Sequence, residues 1–119
     1  MRSKEGLSKR ETEIQHECMV WLNTNGYFAW LTPSQGTFDT SRNCYRRTSV
    51  FNIRGRPDAV CVRGGRVIFL EFKTTTGVQS DHQKAFERKI KKHGGDYILV
   101  RSLEGMICEL EKAFKTKAA

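Results

Sequence analysis

Apolar and polar positions alternate along the chain in a way that predicts helices separated by strands. In residues 8–26, apolar side chains recur at helical spacing, which predicts an amphipathic helix that ends at Asn25-Gly26. The aromatic run YFAWL then predicts a short strand, with Trp30 in the core. A second helix is predicted to follow the N-cap Ser80 and to stop at Gly94-Gly95. The strand DYILVRS and a C-terminal helix with one apolar face complete the pattern: Leu103, Ile107, Leu110 and Phe114.

The strongest local signal is a hairpin in the sequence GRPDAVCVRGGRVIFLEFK. Two apolar runs meet at Gly64-Gly65, and a two-glycine link favours the tight turns that need positive φ. With these glycines at the turn, the register places Asp58 opposite Glu71, with Lys73 on the same face. Both faces are otherwise apolar, so the hairpin is predicted to lie centrally between two layers.

These elements occur in the order α-β-β-β-α-β-α, which predicts an α/β fold with a mixed central β-sheet flanked by helices. The polar stretch from Pro33 to Gly55 is predicted to be irregular, and a loop of that length is usually functional or mobile. A length of 119 residues favours a single domain over residues 1–119, with residues 1–9 as a flexible N-terminus.

The carboxylates at the open end of the hairpin are the main candidate for chemistry. Two acids that face each other in a half-buried sheet destabilise it unless their charge is offset. One acid could hold a proton, Lys73 could neutralise part of the charge, or a divalent cation could lie between them. Carboxylate oxygens, with water as the remaining ligands, suit Mg²⁺ or Mn²⁺ rather than zinc. The alternative is a surface pair of Glu71 and Lys73, with Asp58 as an unrelated turn residue.

The charge of the chain indicates a polyanionic partner. Lys and Arg number 21 against 13 acids, which gives a net charge of +8 and a pI near 9.6. Nucleic acid is the first candidate and an acidic membrane surface the second. No apolar run is long enough to span a bilayer and no signal peptide is visible, so we expect a cytoplasmic protein without a membrane partner. The four cysteines form no CxxC pair, and we expect reduced thiols.

The motif Pro57-Asp58, followed after the two strands by Glu71-Phe72-Lys73, resembles the PD-(D/E)xK nuclease signature. Residues 11–102 are similar to the virus-type replication-repair nuclease (VRR-Nuc) domains: ETEIQHECMVWLNTNGYFAWL resembles their first helix, and VQSDHQKAFERKIKKHGGDYILVRS their last helix and strand. The resemblance implies a restriction-endonuclease-like core, Mg²⁺ or Mn²⁺ and no organic cofactor. Small members of this group resemble phage and bacterial Holliday-junction resolvases, which act as homodimers, whereas a larger relative is monomeric and acts on flaps.

The resemblance also assigns residues to the hairpin site. Asp58 and Glu71 match the metal-binding acids, and the backbone carbonyl of Phe72 matches a frequent third metal ligand. Lys73 matches the catalytic lysine.

Further site residues are assigned on the two helices. Glu13 matches the acid of the first helix, with Glu17 one turn away as the alternative. Gln83 matches a glutamine near the site, although the pattern Ser80-x-x-Gln83 also predicts a capping box. His82 is expected to face solvent rather than to act as a general base.

Two groups of basic residues are candidates for contacts with DNA phosphates. The polar stretch contributes Arg42, Arg46, Arg47, Arg54 and Arg56, and the second helix contributes Lys89, Lys91, Lys92 and His93. Trp30 and Tyr45 are the candidates for stacking on unpaired bases. For Trp30, stacking is the alternative to the core position predicted above.

Together the motif, the charge and the resemblance predict a metal-dependent, structure-selective DNA endonuclease of DNA repair that leaves 5′-phosphate and 3′-hydroxyl ends. A Holliday junction is the favoured substrate, cut by a homodimer whose interface uses the C-terminal helix and the YFAWL strand. A monomeric flap or single-strand nuclease is one alternative, and a basic DNA-binding module without catalysis is another. We expect a nucleoid-associated protein, in the host cytoplasm if it is encoded by a phage.

Overall fold

The computed structural model describes residues 9–33, 37–39, 41–42, 44–46, 51 and 53–117. Apart from Lys9, the N-terminus predicted to be flexible lies outside these residues. The elements in chain order are α1 (Glu11–Thr24), β1 (Phe28–Leu31), β2 (Thr37–Asp39), β3 (Cys44–Arg46), β4 (Ala59–Arg63), β5 (Arg66–Phe72), α2 (Asp81–Lys92), β6 (Asp96–Val100) and α3 (Leu103–Lys117).

The chain has an α/β fold, with a four-stranded mixed sheet in the order β1-β4-β5-β6. Strand β4 pairs antiparallel with both β1 and β5, while β5 and β6 are parallel because α2 carries the chain back across the sheet. The hairpin strands β4 and β5 are therefore the two central strands, as predicted. Gly64 and Gly65 have φ of +56° and +79°, which suits a tight turn with the right-handed strand twist.

The polar stretch is less irregular than its composition predicted. Strands β2 and β3 pair antiparallel as a separate two-stranded sheet, in register from Thr37 opposite Arg46 to Asp39 opposite Cys44. The prediction of an irregular segment was wrong here, because Thr37, Phe38 and Tyr45 are residue types that favour strands even in a polar surrounding.

The main core lies on one face of the sheet. Helices α1 and α3 pack there against the even-numbered residues of β5, Ile68, Leu70 and Phe72. The fully buried helical contributors are Ile14, Cys18, Leu22, Met106 and Leu110. None of the helices in the described part of the chain is long and apolar enough to cross a membrane.

The opposite face of the sheet is covered only in part. Helix α2 packs beside β6 and over Glu71, while the β1 residues on this face remain partly exposed. Trp30 is 41% exposed and Phe28 is 67% exposed, with their ring centroids 5.0 Å apart. The prediction of Trp30 in the core was wrong, because Ala29 is the β1 residue that faces α1 and strand alternation turns Trp30 the other way.

Candidate metal and nucleic-acid site

Asp58 is held in place at the open end of the hairpin by backbone contacts. Its N–H donates to the Leu70 carbonyl at 2.9 Å, and its own carbonyl accepts from Thr32 N–H at 2.8 Å. Its Oδ2 atom accepts the N–H of Phe72 at 2.8 Å. The described residues offer no hydrogen bond to Oδ1, so this oxygen is available to a ligand.

The predicted register holds as far as Ala59 but not at Asp58. The ladder between β4 and β5 ends with Ala59 opposite Leu70, and Asp58 shares the Leu70 carbonyl instead of pairing with Glu71. Pro57 precedes it and lacks an N–H, which favours a break in the ladder here. In the continued register Pro57 would face Phe72. The Asp58 carboxylate takes the Phe72 N–H instead, as Asp side chains often do for local backbone donors.

Among the described residues, Glu71 is the only charged residue that is buried, with 0% of its surface exposed. Its Oε1 atom accepts two hydrogen bonds, from the hydroxyl of Tyr97 and from Nε2 of Gln79 at 3.1 Å. Its Oε2 atom is buried without any partner. A buried carboxylate is strongly destabilising unless it is compensated, so the unpartnered Oε2 calls for a ligand.

Tyr97 donates a hydrogen bond to Glu71 from the neighbouring strand β6. Burial raises the pKa of Tyr97, and the hydrogen bond to Glu71 and the charges of Glu71, Glu87 and Asp58 raise it further. The hydroxyl therefore stays protonated at neutral pH and acts as a donor. The two acids of the motif are anchored at adjacent positions, because Asp58 accepts the N–H of Phe72, the residue after Glu71.

Phe72 and Lys73 follow Glu71 directly, and hydrogen bonds fix the backbone of both residues. In an extended strand the N–H and C=O of one residue point the same way, so the Phe72 carbonyl lies on the side of Asp58. The backbone of Lys73 is fixed from the β6 side, where its N–H donates to the Val100 carbonyl at 2.9 Å. The ammonium of Lys73 forms no ion pair with any described residue.

Among the described residues, the predicted acid of α1 forms no hydrogen bond or ion pair with the residues of the hairpin site. Helix α1 packs on the face opposite Glu71, and Glu13 is 52% exposed in an ion pair with Arg10 at 3.1 Å. Glu17 pairs with Lys9 at 2.6 Å. Both acids line a surface pocket at this end of α1, together with Lys9, Thr12 and His16. Acids in the first helical turn interact favourably with the helix dipole, which accounts for Glu13; its role as a metal ligand stays a prediction.

The predicted capping box is present, and both the N–H and the side chain of Gln83 take part in it. Ser80 Oγ accepts the Gln83 N–H at 3.1 Å, and Gln83 Oε1 accepts the Ser80 N–H at 2.8 Å. The glutamine that contacts the buried acid is Gln79, one residue before the N-cap. His82 is exposed, as predicted.

Gly55 brings part of the basic stretch to the first turn of α2. Its φ is +81°, and a methyl group there would lie 2.3 Å from the backbone carbon of His82. The flanking Arg54 is exposed, and Arg56 donates to the Pro33 carbonyl at 2.9 Å. These two arginines therefore lie near the N-terminal end of α2, a few residues before Asp58.

The remaining basic candidates fall into two groups. Arg42, Lys89, Lys91, Lys92 and His93 are exposed. Lys91 is paired with Glu87 at 2.7 Å. Arg47 and the side chains of Arg46 and Tyr45 lie outside the described residues.

Sequence reasoning missed Gln79, Glu87 and Tyr97. Tyr97 lies on β6 opposite Phe69, so its ring shares the face of Glu71 and reaches it from the neighbouring strand. Gln79 donates to both Glu71 and Glu87, at 3.1 and 2.9 Å. The available signal was a polar-tipped aromatic residue in an apolar strand; the parallel register that directs it to Glu71 has no marker in the sequence.

The oxygen atoms at this site are of the type that binds a hard divalent cation. Two carboxylates with an unpartnered oxygen each, and one carbonyl, suit Mg²⁺, which usually keeps several waters and takes one or two carboxylates. Among the described residues no group of three or more His, Cys, Asp or Glu side chains is arranged to hold a metal. The set therefore fits a partly hydrated cation and not a cage built by the protein alone.

Comparison with known proteins does not assign this site to a family. No family model matches the chain, and no curated protein matches it.

Proposed function

We propose that the protein is a Mg²⁺- or Mn²⁺-dependent DNA endonuclease whose site lies at the open end of the β4–β5 hairpin. The main supporting observation is a buried Glu71 with an unpartnered oxygen; Asp58 is anchored on the N–H of the next residue, and Lys73 forms no ion pair with the described residues. Residues 11–102 also resemble VRR-Nuc domains, which cut DNA with this motif.

Each group has a distinct task in phosphodiester hydrolysis. Asp58, Glu71 and the Phe72 carbonyl would hold the cation, which when bound polarises the phosphate and lowers the pKa of water. The Lys73 ammonium, which forms no ion pair with the described residues, would stabilise negative charge that develops on the phosphate. The anchoring of Asp58 keeps these groups in fixed positions before the substrate arrives.

The DNA is held by charge rather than by base recognition. The net charge of +8 supports a polyanionic substrate, and Arg54 and Arg56 flank the loop that contacts α2 beside the site. Guanidinium contacts to phosphates position a strand without reading its sequence. We therefore expect selection by DNA structure, with four-way junctions favoured, in the cytoplasm at the nucleoid.

The proposed junction substrate determines the oligomeric state that we expect. Symmetric cuts in the two strands of a junction need two sites, and a homodimer with two-fold symmetry supplies them. The open face with Phe28 and Trp30, and the outer side of α3, are the candidate interfaces. Sedimentation equilibrium would give a dimer; a monomer that cuts flaps better than junctions would favour the alternative nuclease.

The substrate class is tested by incubating the pure protein with labelled junction, flap, single-stranded and duplex DNA. Parallel reactions contain Mg²⁺, Mn²⁺ or a chelator. We expect cleavage of the junction in either metal, with 5′-phosphate ends, and no cleavage with chelator. Cleavage that persists in chelator would contradict a metal-dependent site.

A DNA-binding protein without catalysis is the second candidate. It is favoured by the complete burial of Glu71 and by the ion pairs that Glu13 and Glu17 form with Arg10 and Lys9. This candidate predicts strong, salt-sensitive binding and intact DNA in every metal. The same incubation separates the two functions.

A further inference from the structure

The Glu71 carboxylate is held asymmetrically. Both of its hydrogen bonds, from the Tyr97 hydroxyl and Gln79 Nε2, end on Oε1, while Oε2 is buried and has no partner. Buried polar atoms are rarely left unpartnered, and each exception calls for a physical reason. Two donors on one oxygen fix the plane of the carboxylate and leave the second oxygen pointing in one direction.

The two donors are themselves fixed. Tyr97 is buried in β6, beside the strand that carries Glu71. Gln79 is held through its other contact, to Glu87 at 2.9 Å, and Glu87 is in turn paired with Lys91 at 2.7 Å. The orientation of Glu71 is therefore determined by elements on both sides of it, β6 and α2.

The loop that carries Gln79 is also braced. Arg101, directly after β6, donates to the Thr74 carbonyl at 2.6 Å and to the Gly77 carbonyl at 2.8 Å. This keeps the connection between Lys73 and α2 close to the end of the sheet. Gln79 thus has a preset position rather than that of an exposed loop side chain.

We propose that Tyr97 and Gln79 are positioning residues that hold Oε1 of Glu71, so that Oε2 is presented to a divalent cation. The inference rests on the metal site of the proposed function. Partners of this kind, which touch a ligand and not the metal, typically change metal affinity by about 10- to 100-fold when they are removed.

The test measures metal binding without DNA. Mn²⁺ affinity is determined by calorimetry for the parent protein and for Tyr97→Phe, which removes one hydroxyl. Tyr27→Phe is the matched control, because Tyr27 is also 7% exposed and its hydroxyl contacts Arg63 at 3.2 Å. We expect Tyr97→Phe to weaken Mn²⁺ binding by about 10- to 100-fold and Tyr27→Phe to leave it unchanged.

A second variant keeps the test decisive if Tyr97→Phe does not fold, as judged by circular dichroism. Gln79→Ala changes a half-exposed loop residue and is expected to weaken Mn²⁺ binding in the same direction. In cleavage assays, both variants should need more Mn²⁺ for half-maximal rate, while the rate at saturating Mn²⁺ recovers towards that of the parent. A merely structural role would not produce this split.

The outcomes separate the inference from the proposed function. Parent-like Mn²⁺ affinity in Tyr97→Phe and Gln79→Ala overturns the positioning role, and so does a parent protein that binds no Mn²⁺. Weakened Mn²⁺ binding in the variants, with DNA intact in the parent reaction, supports the positioning role and contradicts the nuclease function.

Discussion

Gly55 lies where the loop before β4 contacts the first turn of α2. Its φ of +81° favours glycine, and a methyl group at this position would lie only 2.3 Å from the His82 backbone. Each of these two features alone would disfavour any other residue. The loop carries two candidate DNA-binding arginines towards Asp58, so this contact links the basic stretch to the site.

Gly55→Ala should destabilise the protein more than Gly26→Ala. Gly26 has a similar φ of +88° but open space around it, so its substitution costs about 1–2 kcal/mol from backbone strain alone. At Gly55 the clash with α2 adds about 1–3 kcal/mol. Urea unfolding measures both changes, and equal losses would show that the loop does not lie against α2.

The cysteines should differ in reactivity. Cys18 and Cys61 are buried, and burial raises their pKa from 9.0 to about 12 and about 11; the charges of Glu17 and Glu104 add to the shift at Cys18. Cys108 is exposed. Alkylation followed by peptide mapping should label Cys108 before Cys18 and Cys61, which should react only after unfolding. Early labelling of Cys18 would contradict its core position.

The same two thiols predict a loss of stability in alkali. Their folded pKa lies above the unfolded value of 9.0, so their contribution is complete below pH 9 and is lost as the pH rises towards 11–12. The free energy of unfolding, measured in urea from pH 8 to pH 10.5, should fall less in Cys61→Ala than in the parent. An equal fall in both proteins would count against the effect of Cys61.

At the scale of elements, the sequence predicted most of the fold and only part of the site. The hairpin register could be counted back from Gly64-Gly65 because the turn marks it, and Ser80 marks the start of α2 equally well. The shift at Asp58 could not be counted, because it depends on a side chain that takes a backbone donor. The contact of Tyr97 with Glu71 needs the parallel register of β6, which no local signal encodes.

The capping box of α2 can be tested by Ser80→Ala. Losing the bond to the Gln83 N–H should cost about 1 kcal/mol of unfolding free energy, whereas Ser80→Thr keeps a capping hydroxyl and should lose less. Urea unfolding of the three proteins measures the difference. A Ser80→Ala protein as stable as the parent would show that this cap contributes nothing.

Glu87 should make stability depend on acid pH. Burial acts to raise its pKa, but hydrogen bonds from Lys91 and Gln79 and the charge of Lys91 outweigh it and lower the pKa below 4.5. Its contribution is therefore present above pH 4.5 and is lost as the pH falls through the folded pKa. Glu87→Gln should be less stable than the parent at pH 7 and equal to it near pH 2.

Glu109→Gln is the control for the acid-pH prediction, because it removes an exposed carboxylate near Lys112. A gap between Glu87→Gln and the parent that stays constant from pH 7 to pH 2 would show that packing, and not charge, is lost.

Over the whole molecule, the two ends of the hairpin have different surroundings. The turn end is fixed to α3 and β6: Arg66 pairs with Asp96 at 2.7 Å, donates to the Ala113 carbonyl at 2.7 Å and lies over the Phe114 ring. The open end carries the motif, beside the loop with Arg54 and Arg56. The rigid strands thus connect a fixed end to the end where the metal and DNA are proposed to bind.

The most direct test of this account is cleavage of a labelled four-way junction by the parent protein and by Glu71→Gln, in Mn²⁺ and in chelator. Glu71→Gln keeps the shape of the side chain but removes the charge that a cation needs. We predict Mn²⁺-dependent cleavage by the parent, a loss of at least about 100-fold in Glu71→Gln, and junction binding within a few-fold of the parent. Equal cleavage by the two proteins would contradict the site at the end of the hairpin.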